Sequence, residues 1–254
     1  MELLFLGTGT SYGVPVIGCK CEVCTSGNPK NVRCRPTALL SVGKVRILID
    51  ACPELRVQCL KYGVDRVDAV LLTHAHADHI FGLDDLRAFN NLRGGPIDVY
   101  ANGSTVAELK RRFDYVFKPT QIGGGIPLLN LHEAAGEFNV LGVTVTPVPA
   151  LHGRLPVLGY RIGPLAYLTD VSALPDESAA LLEGLDVLVI GALRYRPHPT
   201  HFNIEQSLAV RRKLMPRTCY FTHLTHNVDH DRLQAELPEG VFAAFDGLTI
   251  STED

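Results

Sequence analysis

Seven residues constrain this chain more than any others. Thr73-His74-Ala75-His76-Ala77-Asp78-His79 sets three imidazoles and a carboxylate within six positions, directly after the apolar run Ala69-Val70-Leu71-Leu72. Four donors delivered at the end of a buried strand restrict the fold to one that gathers other strand ends around them. Histidine is the commonest metal ligand, and neutral imidazole suits zinc, manganese or iron. Side chains two apart on an extended chain share a side, so His74 and His76 can converge on one ion. Asp78 and His79, on the following turn, can reach a second. A polar loop with clustered histidines would carry the same letters but would need no partners elsewhere.

Partners do recur, each after a similar run. Residues 143–148 are rich in β-branched side chains and lead through Pro149-Ala150-Leu151 to His152. Residues 165–169 lead into Asp170, and residues 218–222 into His223. Short β-type runs bounded by polar residues read as strands, and in α/β architectures ligands gather at the C-terminal ends of strands. Taken singly, His152 or His223 reads as a satisfied structural histidine; the shared placement reverses that reading. Arg46-Ile47-Leu48-Ile49 likewise ends in Asp50, whose carboxylate can fix the orientation of a ligand histidine or simply form a turn.

The bulk numbers agree with one large α/β domain or two intimate halves: 254 residues, of which 46% are hydrophobic. A net charge of −3 offers no basic field for nucleic acid. No apolar run reaches the roughly 18 residues of a membrane span. Met1-Glu2-Leu3-Leu4-Phe5-Leu6 has no basic flank and reads as a first strand, so a cytoplasmic protein without a membrane partner is expected. Seven cysteines is an odd count. Cys19, Cys21 and Cys24 lie too close together for a disulfide framework, and in a cytosolic chain such spacing points to metal. Cys34, Cys52, Cys59 and Cys219 are scattered and read as small core hydrophobes.

Strands are expected at 2–6, 37–42, 45–49, 69–72, 98–100, 128–131, 138–140, 143–148, 158–162, 165–168, 187–190, 218–221 and 248–251. Helices are expected at 53–62, 84–91, 103–113 with Ser104 as N-cap, 176–183 and 203–213. This pattern describes one domain over 1–254. Its two pseudo-symmetric halves, each with strands followed by strand–helix units, meet near Gly123-Gly124-Gly125.

The histidine motif, the turn Leu6-Gly7-Thr8-Gly9-Thr10 and Phe245-Asp246-Gly247 together resemble the metallo-β-lactamase superfamily, nearly end to end. Gly18-Cys19-Lys20-Cys21-Glu22-Val23-Cys24 and Thr222-His223-Leu224-Thr225-His226 look most like its phosphodiesterases of phosphonate degradation, which act on phosphoribosyl 1,2-cyclic phosphate. The resemblance implies an α/β fold of the four-layer αββα sandwich type, which pattern alone would not choose over other α/β folds. It implies that His74, His76 and His152 hold one divalent ion, manganese or zinc. Asp78, His79 and His223 would hold a second, with Asp170 bridging the two. Cys19, Cys21 and Cys24 with His226 would hold a structural zinc that ties the N-terminal loop to the segment carrying His223.

The activity so implied is metal-dependent hydrolysis of a small phosphodiester, a ribosyl 1,2-cyclic phosphate, by water activated at both ions. His201, just ahead of the helix expected at 203–213, would protonate the departing alkoxide, and Asp78 is counted with it as catalytic. Arg194 and Arg196 offer planar forks for a terminal phosphate. Gly7-Thr8-Gly9 lacks the P-loop lysine and reads as a tight turn under the site. His132, His198 and His230 read as structural or surface residues. Other readings share the fold: a tRNA 3′-processing nuclease, disfavoured by the acidic balance and the lack of a basic arm; a quinone-cofactor biosynthesis protein; and a non-catalytic metal-holding sensor. The native metal, the organic part of the substrate and homodimer formation stay open.

Overall fold

The computed structural model describes residues 1–118 and 125–252. In chain order its strands are β1 (Glu2–Gly7), β2 (Thr37–Val42), β3 (Val45–Ile49), β4 (Ala69–Leu71), β5 (Ile97–Ala101), β6 (Leu129–Glu133), β7 (Phe138–Val140), β8 (Val143–His152), β9 (Leu155–Ile162), β10 (Leu165–Leu168), β11 (Val187–Gly191), β12 (Thr218–Thr222), β13 (Val241–Ala243) and β14 (Thr249–Ser251). The α-helices are α1 (Leu55–Tyr62), α2 (Ala77–Ile80), α3 (Leu86–Arg93), α4 (Gly103–Arg112), α5 (Asp114–Phe117), α6 (Asp176–Ala180), α7 (Ile204–Leu214) and α8 (His230–Glu236).

The strands form two seven-stranded sheets, ordered β14-β1-β2-β3-β4-β5-β6 and β13-β12-β11-β10-β9-β8-β7. Each is antiparallel over one end and parallel over the other. In the first sheet the change comes at β3, whose partner β4 runs parallel; in the second it comes at β10, whose partner β11 runs parallel. Strand alternation builds three apolar layers. Leu3, Phe5, Ile47, Ile49, Ala69 and Leu71 face Tyr160, Tyr167, Val187 and Val189 between the sheets. Their neighbours Leu6, Leu48, Val70 and Leu72 point outward to Leu55, Leu86 and Leu109 of the first helical layer. Leu188 and Ile190 point outward to Ile204, Leu214 and Leu233 of the second. Buried on both faces, the parallel strands read as continuous apolar runs, and the result is the expected αββα sandwich.

The structure corrects several expectations. Asn102, not Ser104, caps α4: its side chain accepts from Thr105 N, and Ser104 Oγ donates to Asn102. The short helices α2, α5 and α8 and the strand β13 had no sufficient periodic signal. Gly123 and Gly124 lie outside the described residues. The chain passes from the first sheet to the second after them, between Glu133 and Phe138, because β6 still adds in parallel to β5.

At one edge the sandwich is pinned shut. Tyr160 Oη donates to Leu72 O at 2.7 Å, and Leu158 N to Thr73 O at 2.9 Å. The turn after β1 also lies here. Leu224 N donates to Thr8 O, and Asp246 accepts from Thr8 N, Thr8 Oγ1 and Cys34 N. A Cβ on Gly7 would come within 2.0 Å of Arg35 O, so this tight approach requires glycine. The expected turn therefore sits directly against the residue that follows His223.

Candidate metal centre

Strand ends from both sheets meet at this edge. His74, Asp78 and His79 come from the β4–α2 segment, His152 from the end of β8, Asp170 from just past β10, and His223 from just past β12. His201 precedes α7, whose start is set by Asn203. That side chain accepts from Gln206 N while Gln206 reaches back to Asn203 N. Phe202 N donates to Val171 O, and Leu193 N to Phe202 O, so His201 is held beside Asp170.

Asp170 is the hub. Its carboxylate lies 3.0 Å from His223 Nδ1, 3.5 Å from His79 Nε2, 3.8 Å from His201 Nδ1, 3.9 Å from His152 Nε2 and 4.0 Å from His74 Nε2. His76 joins through His74, whose Nε2 is 2.9 Å from His76 Nδ1, and its ring centroid is 5.1 Å from that of His152. Asp78 Oδ2 is 3.4 Å from His79 Nε2. Every expected ligand is therefore in one cluster, and all but His76 are buried. Donor atoms of His74, His76 and His152 fall in one tight group; those of His74, His79 and Asp170 fall in another. Those of His152, Asp170 and His201 form a third, which brings His201 closer to the ligands than the sequence suggested.

The donor chemistry fits divalent metal. His79 is fully buried, yet its Nε2 has no hydrogen-bond partner among the described residues, although two carboxylates flank it. A buried polar atom without a partner is costly, and a cation shared with those carboxylates would satisfy it. Burial works to raise Asp170, but His223 and His79 hold it well below the usual carboxylate range. His74 is pushed well below the usual imidazole value by burial and by His79. Burial brings His201 down to about 3, against the pull of Asp170. His74 and His201 are thus neutral beside an ionised Asp170, as ligation needs, whereas at His79 burial is outweighed by Asp50 and Asp170, which raise it well above the usual imidazole value, so a bound cation would take the place of its proton.

Behind the cluster stands Asp50. It accepts from Thr73 N at 2.8 Å and Thr73 Oγ1 at 2.9 Å, and its Oδ2 lies 2.7 Å from His79 Nδ1. Ala51 N donates to His79 O, which fixes the same geometry through the backbone. A carboxylate on the far ring nitrogen sets the tautomer and aims the near one. Asp50→Asn is expected to weaken metal affinity or activity about 10- to 100-fold, measured by competition with a metallochromic chelator. Unchanged affinity and activity would leave Asp50 a turn former only.

Some contributors had no signal in the sequence. Thr200 O receives His152 Nδ1 at 2.6 Å, and Thr73 Oγ1 lies 3.0 Å from His74 Nδ1. Asp50, Asp170 and His223 all adopt positive φ, at 60°, 54° and 59°. Each such residue stores about 1–3 kcal/mol of strain, and each lies one or two residues past a strand, turned out of the strand direction toward the cluster. Arg194 and Arg196 line a separate surface cavity with Tyr195 and Asn227, and Arg194 donates back to Arg196 O and Pro197 O.

A second cluster lies nearby. Cys19, Cys21 and Cys24 Sγ stand 3.3, 3.4 and 3.6 Å from His226 Nδ1. With Zn–S near 2.3 Å and Zn–N near 2.0 Å, the S···N edge of a tetrahedron is about 3.5 Å. Three such edges converge on one nitrogen, so these residues fit a closed tetrahedral site.

Fold and ligand cluster together define the class of domain. The chain belongs to the beta-lactamase superfamily: the family described as "Beta-lactamase superfamily domain" matches residues 45–224. A solved "new diphosphatase from the PhnP family" is similar over 99% of this chain and 98% of that one, with 40% identity and a TM-score of 0.93. An octanoyltransferase of Porphyromonas gingivalis is 41% identical over 254 residues, which are 98% of this chain and 51% of that protein. A coenzyme PQQ synthesis protein B of Methylorubrum extorquens is 30% identical over 173 residues, 62% of this chain and 54% of that protein. The chain thus spans about half the length of the curated relatives it matches. No helix is long and apolar enough to cross a membrane among the described residues.

Proposed function

We propose that the protein hydrolyses a small phosphate diester, a ribosyl 1,2-cyclic phosphate or a close analogue, at a two-metal centre of manganese or zinc. The observation that carries this reading is the hub: one ionised carboxylate faced by five imidazoles, of which the buried His79 Nε2 has no hydrogen-bond partner among the described residues. His74, His76 and His152 would hold one ion, and Asp78, His79 and His223 the other, with Asp170 between them. Bound divalent ions would supply charge neutralisation at the phosphoryl oxygens and a nucleophilic water near neutral pH. Cys19, Cys21, Cys24 and His226 would hold a separate structural zinc.

His201 is assigned the proton transfer to the leaving oxygen. Its ring centroid is 4.5 Å from that of His152 and 5.0 Å from that of His223, and it is less buried than either. Because burial keeps it neutral, the proton it delivers is one received within the site, released as water attacks. Such transfer typically contributes about 10²–10⁴-fold. His201→Ala should therefore lose that much on an alkyl or ribosyl diester, whose alkoxide leaves poorly, and much less on bis(p-nitrophenyl) phosphate. Equal losses on both substrates would reduce His201 to a positioning residue. Loss of a bound metal would make it a ligand instead.

A diphosphate substrate is the second reading, favoured by the 40% identical diphosphatase. A phosphate leaving group needs a proton far less than an alkoxide does, so the same variant separates the two. The octanoyltransferase is about twice the length of the segment aligned to this chain, so its name describes a whole of which that segment is half.

A further inference from the structure

The ligand imidazoles are steadied by groups outside the proposed ligand set, with one exception. Asp50 Oδ2 lies 2.7 Å from His79 Nδ1, Thr200 O receives His152 Nδ1 at 2.6 Å, and Thr73 Oγ1 lies 3.0 Å from His74 Nδ1. His223 Nδ1 lies 3.4 Å from Thr169 Oγ1. Among the described residues His76 is the exception. Its ring hydrogen-bonds only to His74 Nε2, a fellow ligand, and the residue is exposed. Its direction then depends on the rings of His74 and His152 beside it and on the main chain that carries it.

That main chain is held from outside by Arg112. Its Nη1 donates at 2.8 Å to Ala75 O, the carbonyl of the residue that joins His74 to His76. Other main-chain bonds of this stretch lie at its ends, where Leu158 N donates to Thr73 O and His79 N to His76 O. Arg112 is aimed in its turn, because Glu108 Oε2 accepts from its Nε at 2.9 Å. Both side chains stand on α4, which is firmly mounted. Thr105 and Leu109 are buried, and the capping Asn102 donates from Nδ2 to Pro156 O of β9 at 3.2 Å. A planar guanidinium can hold a carboxylate with one nitrogen and a carbonyl with another in a fixed geometry. Glu–Arg pairs one helical turn apart are common on helix surfaces. This pair differs in reaching across to the main chain between two metal ligands.

We infer that Arg112 is a positioning residue of the metal centre. Through Ala75 O it fixes the main chain that aims His76, and so it sets how tightly the ion of His74, His76 and His152 is held. The ion of Asp78, His79 and His223 and the structural zinc do not depend on it. The inference rests on the two-ion assignment above. Asp50 supports His79 through the ring itself, so each ion of the pair has its own outer support.

The test follows metal release from the fully loaded protein against a graded series of chelator concentrations. Elemental analysis counts the ions, and the visible spectrum of the cobalt-substituted protein reports their ligands. Loss of an outer partner typically weakens metal binding about 10- to 100-fold. In Arg112→Ala one ion per chain should therefore leave at a chelator concentration at least about 10-fold lower, with the others held as in wild type. The melting curve of the metal-free protein should stay close to that of wild type. Arg112→Lys should recover part of the loss, since lysine can still donate to Ala75 O but lacks the fork. Glu108→Ala leaves the guanidinium unaimed on a helix that alanine favours, and should loosen the same ion by less. Combined with Asp50→Asn, Arg112→Ala should loosen two ions rather than one. Unchanged release from Arg112→Ala would overturn the positioning role, as would equal loosening of every ion together with a lower melting temperature. A wild-type protein that holds a single ion in the cluster, released early in Arg112→Ala but not in Asp50→Asn, would sink the two-ion reading and leave the role of Arg112 standing.

Discussion

Asp170→Asn is expected to empty the histidine cluster of metal and to lower hydrolysis by more than about 100-fold, the upper end of what even groups outside the ligand shell can cost. The substitution is chosen for its backbone. Asp170 has a φ of 54°, and asparagine enters the left-handed region more readily than other non-glycine residues. The fold should therefore survive, and the effect should report the lost charge. Five imidazoles from four separate segments point at this one carboxylate. With a neutral amide in its place, Asp78 is the one proposed carboxylate ligand left, and it serves a single ion. Elemental analysis after dialysis and a melting curve of the metal-free protein check both halves of the statement. A variant that kept its metal and its activity would remove Asp170 from the bridging position.

Much of this centre is legible in the letters because the chemistry sits in side chains at regular places. A strand buried on both faces appears as an apolar run, and the donor just past it marks the C-terminal end of a parallel strand. That rule groups His74, Asp170 and His223; His152 ends β8, an antiparallel strand of alternating burial, and shows instead through the β-branched run before it. The rest is hidden for physical reasons. Thr200 orients His152 with a backbone carbonyl, which every residue carries. Arg112 clamps Ala75 O from a helix thirty-seven positions away in sequence, and its spacing to Glu108 looks like any surface pair. The positive φ of Asp50, Asp170 and His223 shows in no propensity, since only tertiary packing pays for it.

The fold divides in the same way. The two sheets and the long helices α1, α3, α4 and α7 follow from periodicity, with ends shifted by at most four residues. The helices α2, α5 and α8 are four to seven residues long, too short for a 3.6-residue pattern to register. The pairing of β14 with β1 is non-local and had no sequence signal.

Cys21→Ser is expected to remove one zinc per chain and to lower stability by about 3 kcal/mol or more, a loss of the size tied to a lost metal site. At roughly 2–4 °C per kcal/mol for a domain of this size, that is a melting temperature about 6–12 °C lower. The reason lies in what else holds the N-terminal loop. Between β1 and β2 the chain runs from Thr8 to Pro36 with a single three-residue 3₁₀ turn at Pro29–Asn31. Loops beyond about 12–15 residues without structure of their own are uncommon in compact domains. The ends of this one are fastened by Thr8 and Cys34 on Asp246 and by Arg35 on Glu54. Among the described residues, however, 15–25 are bonded to the fold outside this loop only through the cysteines, and the other ties lie around them. Val14 pairs with Arg33, Arg33 Nη1 donates to Thr225 O, and Asn31 Nδ2 donates to Asp229. The cysteines close on His226 beside those contacts. Removing one thiolate opens a four-ligand site that supplies folding free energy directly. His223 also lies three residues before His226, but it keeps its own anchor through Leu224 N and Thr8 O. The fraction that stays folded should therefore still hydrolyse substrate. Differential scanning calorimetry with zinc analysis decides the matter: an unchanged melting temperature with an unchanged zinc count would mean that the three thiols and His226 hold no structural ion.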